Sequence, residues 1–213
     1  MGLKKYFAEC LGTFGLVFCG TGAVVVNEVS GGSVTHVGIA VTFGLIIMAM
    51  IYAFGEISGA HFNPAVTIAF AINKNFSTKE IIPYITSQLV GGVLASIILL
   101  FLFPSSKDLG GTNPSGSNAQ SFVLEVILTF ILMIVIVKVA TGSKEQGMFA
   151  GLAIGAVVLL EAMFGGPISG ASMNPARSIA PALVSGELKH LWIYILAPIG
   201  GALLAIVVNK LTT

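Results

Sequence analysis

Two peptides of the chain are near copies of each other. ISGAHFNPAVT occupies 57–67 and ISGASMNPARS occupies 168–178, with Asn63 and Asn174 standing 111 positions apart. Each contains a Ser-Gly-Ala step and then Asn-Pro-Ala. Asparagine is a favoured N-cap, and proline suits the first helical position, where its missing N–H goes unused anyway. So regular helix is expected to be absent over Ser58-Gly59-Ala60-His61 and Ser169-Gly170-Ala171-Ser172, each read as an extended strand. New helices are expected to begin at Pro64 and Pro175. These run over 64–73 and 175–184, and ten residues of helix are about 15 Å long.

That length gains meaning from its surroundings. The chain has 213 residues, of which 55% are hydrophobic and only 9% charged. A soluble domain carries about 25% charged residues, so the solvent for most of this surface is a lipid bilayer. Six apolar stretches are long enough to cross it: 6–27, 36–55, 80–103, 120–141, 146–165 and 190–211. The first is too long and unbroken for a cleaved signal. A helix of about 15 Å covers half of a bilayer core. A formal charge of +1 leaves no basic surface for a nucleic acid. Cys10 and Cys19, on different turns of one span, read as packing residues. The pattern contains no metal-ligand spacing, Ser-His-Asp arrangement or phosphate loop, so neither an enzyme nor a cofactor is expected.

The spans repeat. Glu9-x-x-x-Thr13-Phe14 recurs as Glu125-x-x-x-Thr129-Phe130, and Gly38-Ile-Ala-Val as Gly151-Leu-Ala-Ile. The Asn-Pro-Ala peptides come third in each half, and the glycine pairs 91–92 and 200–201 come last, read as helix crossings. Three spans per half is an odd number, so the halves insert upside down to each other, at about 1–104 and 120–213. A loop at 105–119 joins them, and the Gly-, Pro- and Ser-rich stretch 103–120 reads as exposed. With both termini cytoplasmic, Lys4, Lys5, Lys74, Lys79, Lys138, Lys144 and Lys210 fall inside, and Lys107 and Lys189 outside. The joining loop is then extracellular. Ser77 followed by Glu80 predicts a capping box for the third span. His36 and His190 fall in loops at span ends.

Inverted repeats place their site at the midplane, between the halves. Each half-helix enters from its own side and the two N-termini meet near the centre. Non-helical backbone at that depth is tolerated where it lines a wet cavity or is buried in protein. The carbonyls of Gly59, Ala60, His61, Gly170, Ala171 and Ser172 therefore want a polar partner, and a file of small polar molecules supplies one. The two N-termini make the centre positive, and the amides of Asn63 and Asn174 add donors there. Cations are repelled, while a neutral hydroxylic molecule is accepted.

Paired Asn63-Pro64-Ala65 and Asn174-Pro175-Ala176 motifs, the second followed by Arg177, resemble the major intrinsic proteins, the aquaporins and aquaglyceroporins, along the whole chain. The resemblance implies an all-α membrane fold of six transmembrane helices and two re-entrant half-helices, with one pore per subunit in a homotetramer. It implies that Glu9 and Glu125 support the two loops. By counting from the asparagines it implies an outer selectivity filter of Phe43, Ala162, Ala171 and Arg177. Water-selective members carry His at the position of Ala162, and glycerol-conducting members carry two aromatics where this chain has Phe43 alone. GPISGASMNPARS and LWIYILAP resemble the nodulin-like intrinsic proteins and their bacterial relatives, which implies passage of glycerol or neutral metalloid acids. Glu56 and Glu161 stand out as acids for the inner vestibule or the filter.

The expectation is thus a single channel domain in the cell membrane, plasma or inner, passing water and small uncharged solutes. A strictly water-selective pore, a proton-coupled transporter built on the four carboxylates and an adhesion protein with a vestigial pore are the competing readings.

Overall fold

The computed structural model describes residues 2–212, with the side chains of 145 and 146 excepted. Six helices are long and apolar enough to span a bilayer. They are α1 (Gly2–Val29), α2 (Thr35–Ser58), α4 (Ile81–Leu102), α5 (Asn118–Thr141), α7 (Ala150–Ser169) and α9 (Leu191–Leu211). Two short helices, α3 (Pro64–Ile72) and α8 (Pro175–Ser185), follow the Asn-Pro-Ala motifs. A five-residue α6 (Lys144–Met148) precedes α7. An even number of spans leaves both termini on one side, called here the terminal face; the other is the far face.

Several boundaries differ from the sequence expectation. α7 starts at Ala150 and continues to Ser169 through Pro167, while 144–148 form a separate helix. Both spans that precede an Asn-Pro-Ala run on to the serine itself. They end at Gly59 and Gly170, whose φ values of 84° and 87° suit glycine and whose N–H groups close the last turn. His36 is therefore helical, and its Nε2 lies 2.7 Å from the Met163 carbonyl oxygen on α7. His190 is the N-cap residue of α9. Ser77 makes no side-chain cap. Glu80 instead accepts from Tyr6 (2.7 Å) and pairs with Lys5 (3.0 Å), tying α4 to α1. The capping box lies elsewhere, at Ser117 and Gln120, and opens α5.

The halves pack by equivalent contacts. A Cβ at Gly91 would lie 2.0 Å from the Cys10 carbonyl oxygen, so α4 and α1 cross backbone to backbone. Gly201 does the same on α5, where a Cβ would meet the Val126 carbonyl oxygen at 2.3 Å. Gly92 is also tight, with Ala180 Cβ at 2.9 Å, whereas Gly200 faces open space and serves no crossing. Tyr84 on α4 donates to the Ser58 carbonyl (2.8 Å), and Tyr194 on α9 to the Ser169 carbonyl (2.7 Å). The core lies between the halves, where Phe62, Ala65 and Val66 from one pack with Leu132, Ala171 and Met173 from the other. Leucine, isoleucine and phenylalanine side chains such as Phe101, Leu160 and Phe164 cover the outside, where a bilayer solvates them.

The joining segment is exposed over much of its length, as its composition suggests, but not throughout. Ser106, Leu109 and Gly110 are buried, and a Cβ at Gly110 would lie 2.7 Å from the Thr21 carbonyl oxygen on α1. This loop dips into the far face.

Candidate functional site: a central cavity between two half-helices

Each half-helix is built by its asparagine. Asn63 Oδ1 accepts from Ala65 N (2.9 Å), and Asn174 Oδ1 from Ala176 N (3.0 Å) and Arg177 N (3.3 Å). The amide nitrogens cross between halves. Asn63 Nδ2 donates to the Met173 carbonyl, and Asn174 Nδ2 to the Phe62 carbonyl, both at 2.8 Å. Each amide owns two N–H groups, so one holds the halves together and one remains for the cavity both residues line. The positive ends of α3 and α8 reinforce them at the same place.

The loops leading to the asparagines are not extended. Gly59, Ala60 and Phe62 have φ values of 84°, 51° and 49°, and Gly170, Ala171 and Met173 repeat the series at 87°, 42° and 54°. Left-handed backbone costs a non-glycine residue roughly 1–2 kcal/mol, so these turns need a clamp. Two buried carboxylates provide it. Glu9 accepts from Ser58 Oγ (2.7 Å), His61 N (2.9 Å), Phe62 N (2.8 Å) and Gln88 Nε2 (2.7 Å). Glu125 accepts from Ser169 Oγ (2.7 Å), Ser172 N (2.9 Å) and Met173 N (2.9 Å). The inward N–H groups are thereby satisfied and the carbonyls are left for the opposite side.

A cavity of about 500 Å³ runs along that side. Gly59, Ala60, His61, Ala171 and Ser172 line it; Gly170 does not, because it packs against Thr112. Phe43, Ala162, Ala171 and Arg177 all line it, so the structure brings these four together. Arg177 is buried, its Nη1 donates to the Gly110 carbonyl (2.8 Å), and its Cζ stands 5.1 Å from the centre of the Phe43 ring. Its Nε meets no partner among the described residues. Glu56 lines the cavity with Tyr52 and Met148. Glu161 does not line it. Its carboxyl is buried, and neither oxygen finds a hydrogen-bond partner among the described residues. The pairing of Glu56 with Glu161 as site acids thus divides, since Glu161 points about 60° round the helix from Val158 and about 100° from Ala162.

Several residues escaped the sequence reading. Gln88, Tyr84, Tyr194, Thr112 and Gly110 all hold the loops through contacts distant in the chain. Tyr84 and Tyr194 stand at matching places in the repeats, seven before Gly91 and Gly201, and that recurrence was the available signal. The His61 ring stacks on Phe70 and meets Phe76 edge-on and Tyr84 at a tilt, while its Nδ1 lies 3.1 Å from Thr67 Oγ1. Among the described residues no cluster of three His, Cys, Asp or Glu side chains could hold a metal.

Six spans closed by two re-entrant half-helices around a central cavity, largely apolar but carrying Asn63, Asn174, Arg177 and the loop carbonyls on its wall, define a membrane channel. The family model of the major intrinsic proteins matches residues 1–209, and the chain belongs to that family. It is 50% identical over 209 residues to aquaporin NIP3-1 of Arabidopsis thaliana, covering 94% of this chain and 65% of that protein. It is also 50% identical over 202 residues to nodulin-26 of Glycine max, covering 94% and 74%. The chain therefore spans about two thirds to three quarters of these relatives. The aquaglyceroporin from Plasmodium falciparum matches with a TM-score of 0.87 at 24% identity, over 98% of this chain and 95% of that one, a likeness of fold.

Proposed function

We propose that the chain is a passive pore for water and small uncharged solutes, glycerol-like polyols or neutral metalloid acids among them, which excludes protons and ions. The observation that carries this reading is the central crossing. Asn63 and Asn174 each lend one amide N–H to the opposite loop and keep one for the cavity, beside two helix N-termini. A water or hydroxyl group passing there accepts from the asparagines with its oxygen. Its own protons then point away, toward carbonyls of 59–61 on one side and 171–172 on the other. A water held this way cannot relay a proton through the centre, and a cation meets positive potential.

Selectivity by size is assigned to Phe43, Ala162, Ala171 and Arg177. Arg177 brings its guanidinium to the cavity wall, Phe43 gives an apolar wall, and the two alanines leave room that a larger residue would fill. Glu56 accepts hydrogen bonds at the inner mouth in this reading. Glu9 and Glu125 are loop supports. The pores assemble as a homotetramer in the plasma or inner membrane, with the terminal face cytoplasmic, as the lysine distribution favours. The repeats 1–104 and 120–213 form one channel domain.

Stopped-flow light scattering on proteoliposomes tests the reading. The parent is expected to pass water, glycerol and boric acid with no dependence on a proton gradient. Ala162→His narrows the ring and is expected to lower glycerol permeability at least about tenfold more than water permeability. Water flux alone would return the strictly water-selective reading. Flux driven by a proton gradient would return the transporter, and no flux would sink the pore.

A further inference from the structure

The two re-entrant loops are closed by matching pairs of side chains. On the terminal-face side, His61 in the loop meets Thr67 in α3 at 3.1 Å. On the far side the same positions are Ser172 and Ser178, and their hydroxyls lie 2.6 Å apart. The third partner differs. Thr67 Oγ1 receives Gln88 Nε2 at 3.0 Å, from the membrane-spanning α4. Tyr84 with Tyr194 and Gly91 with Gly201 set the register between α4 and α9, and they put Pro198 where Gln88 stands. Proline has no side-chain donor. Thr112 of the joining loop fills the vacancy instead, and its hydroxyl donates to Ser178 Oγ at 2.8 Å.

Each hydroxyl has one proton, so the direction of this chain is determined. Ser172 donates to the Asn174 carbonyl at 3.0 Å. Ser178 must then be the donor to Ser172, and Thr112 supplies the donor that Ser178 accepts. The relay starts in a surface loop and ends on the backbone of the central asparagine. On its way it brackets Ala171 and Arg177, because Ser172 and Ser178 are their immediate neighbours. Two residues before Thr112, the Gly110 carbonyl holds Arg177 directly.

We infer that Thr112 is a positioning residue that sets the far-face constriction through Ser178 and Ser172, so that pore size there is governed by the joining loop. The terminal-face half has no such dependence, since Gln88 holds it from a span. The inference rests on the pore reading given above.

The test compares Thr112→Val and Thr112→Ser with the parent in proteoliposomes, reading glycerol and water permeability together. Valine keeps the size and the methyl against Gly170 but removes the donor. It is expected to raise the glycerol-to-water permeability ratio roughly two- to tenfold, the span of a single hydrogen bond. Serine keeps the donor and is expected to hold the parental ratio. Ser178→Ala breaks the relay one link further in and is expected to shift the ratio the same way, which covers a valine variant that does not fold. The inference fails if either chain-breaking variant conducts at the parental ratio, or if serine shifts it as far as valine. A parent and a Thr112→Val variant both closed to glycerol overturn it too. Parent vesicles closed to water and solute alike would instead overturn the pore reading, so the two failures are distinct.

Discussion

Glu9 and Glu125 are equivalent residues with unequal duties. Both clamp two consecutive loop N–H groups and one serine, but Glu9 also receives Gln88. Removing either carboxylate leaves buried donors unmet, and each such donor costs about 1–3 kcal/mol. Glu125→Ala orphans the N–H groups of Ser172 and Met173. We expect the melting temperature in detergent to fall by about 10 °C, from a shift of about 2–4 °C per kcal/mol for a chain of this size. An unchanged melting curve would remove Glu125 from its supporting role. Glu161 predicts the reverse. A buried carboxyl without a partner is a cost, so Glu161→Leu is expected to raise the melting temperature, and a drop would reveal a partner. The carboxylates themselves were legible, because glutamate inside a span is rare and these two recur in register. Their donors were less so. Gln88 is 79 residues from Glu9, and no local pattern joins them.

At the scale of elements, spans and half-helices follow from apolar length and from Asn-Pro caps, and these were readable in the chain. What was not readable is how the backbone gets from one to the other. Left-handed turns at Ala60, Phe62, Ala171 and Met173 run against local preference, and they exist because the clamped N–H groups impose them. Tertiary contacts also overrule Ser77: Glu80 finds Tyr6 and Lys5 and is no longer free to complete a capping box. The glycine pairs give a sharp contrast. Gly201→Ala would force α9 off the Val126 carbonyl and is expected to cost about 1–3 kcal/mol. Gly200→Ala meets nothing within 4 Å and is expected to leave stability unchanged or slightly raised. Thermal unfolding of the two variants side by side checks this, and equal losses would contradict the crossing geometry.

The whole molecule has two faces that charge distinguishes. The proposed orientation, with the terminal face cytoplasmic, is checked by introducing single cysteines in a variant lacking Cys10 and Cys19. A thiol reagent that cannot cross the membrane, applied to intact cells, is expected to label Gly116→Cys at the loop face and to spare Thr212→Cys. The opposite labelling would reverse the orientation. The global symmetry was legible from the four recurring landmarks. The exception to it was not: the joining segment reads as a mere connector, yet Leu109 and Gly110 are buried and Thr112 completes the far-face loop.

The crossing of the asparagines has one more consequence. Asn63 reaches the carbonyl before Asn174, and Asn174 reaches the carbonyl before Asn63, with identical lengths. That is the pattern of an isologous interface, in which the same patch on two partners is complementary to itself. Two separate half-length chains, inserted in opposite directions, could make the same handshake without a covalent link. The molecule has the form of such a dimer fused head to tail. Fusion released the connector and the two halves alike from symmetry, so that Gln88 holds one mouth and Thr112 of the connector the other.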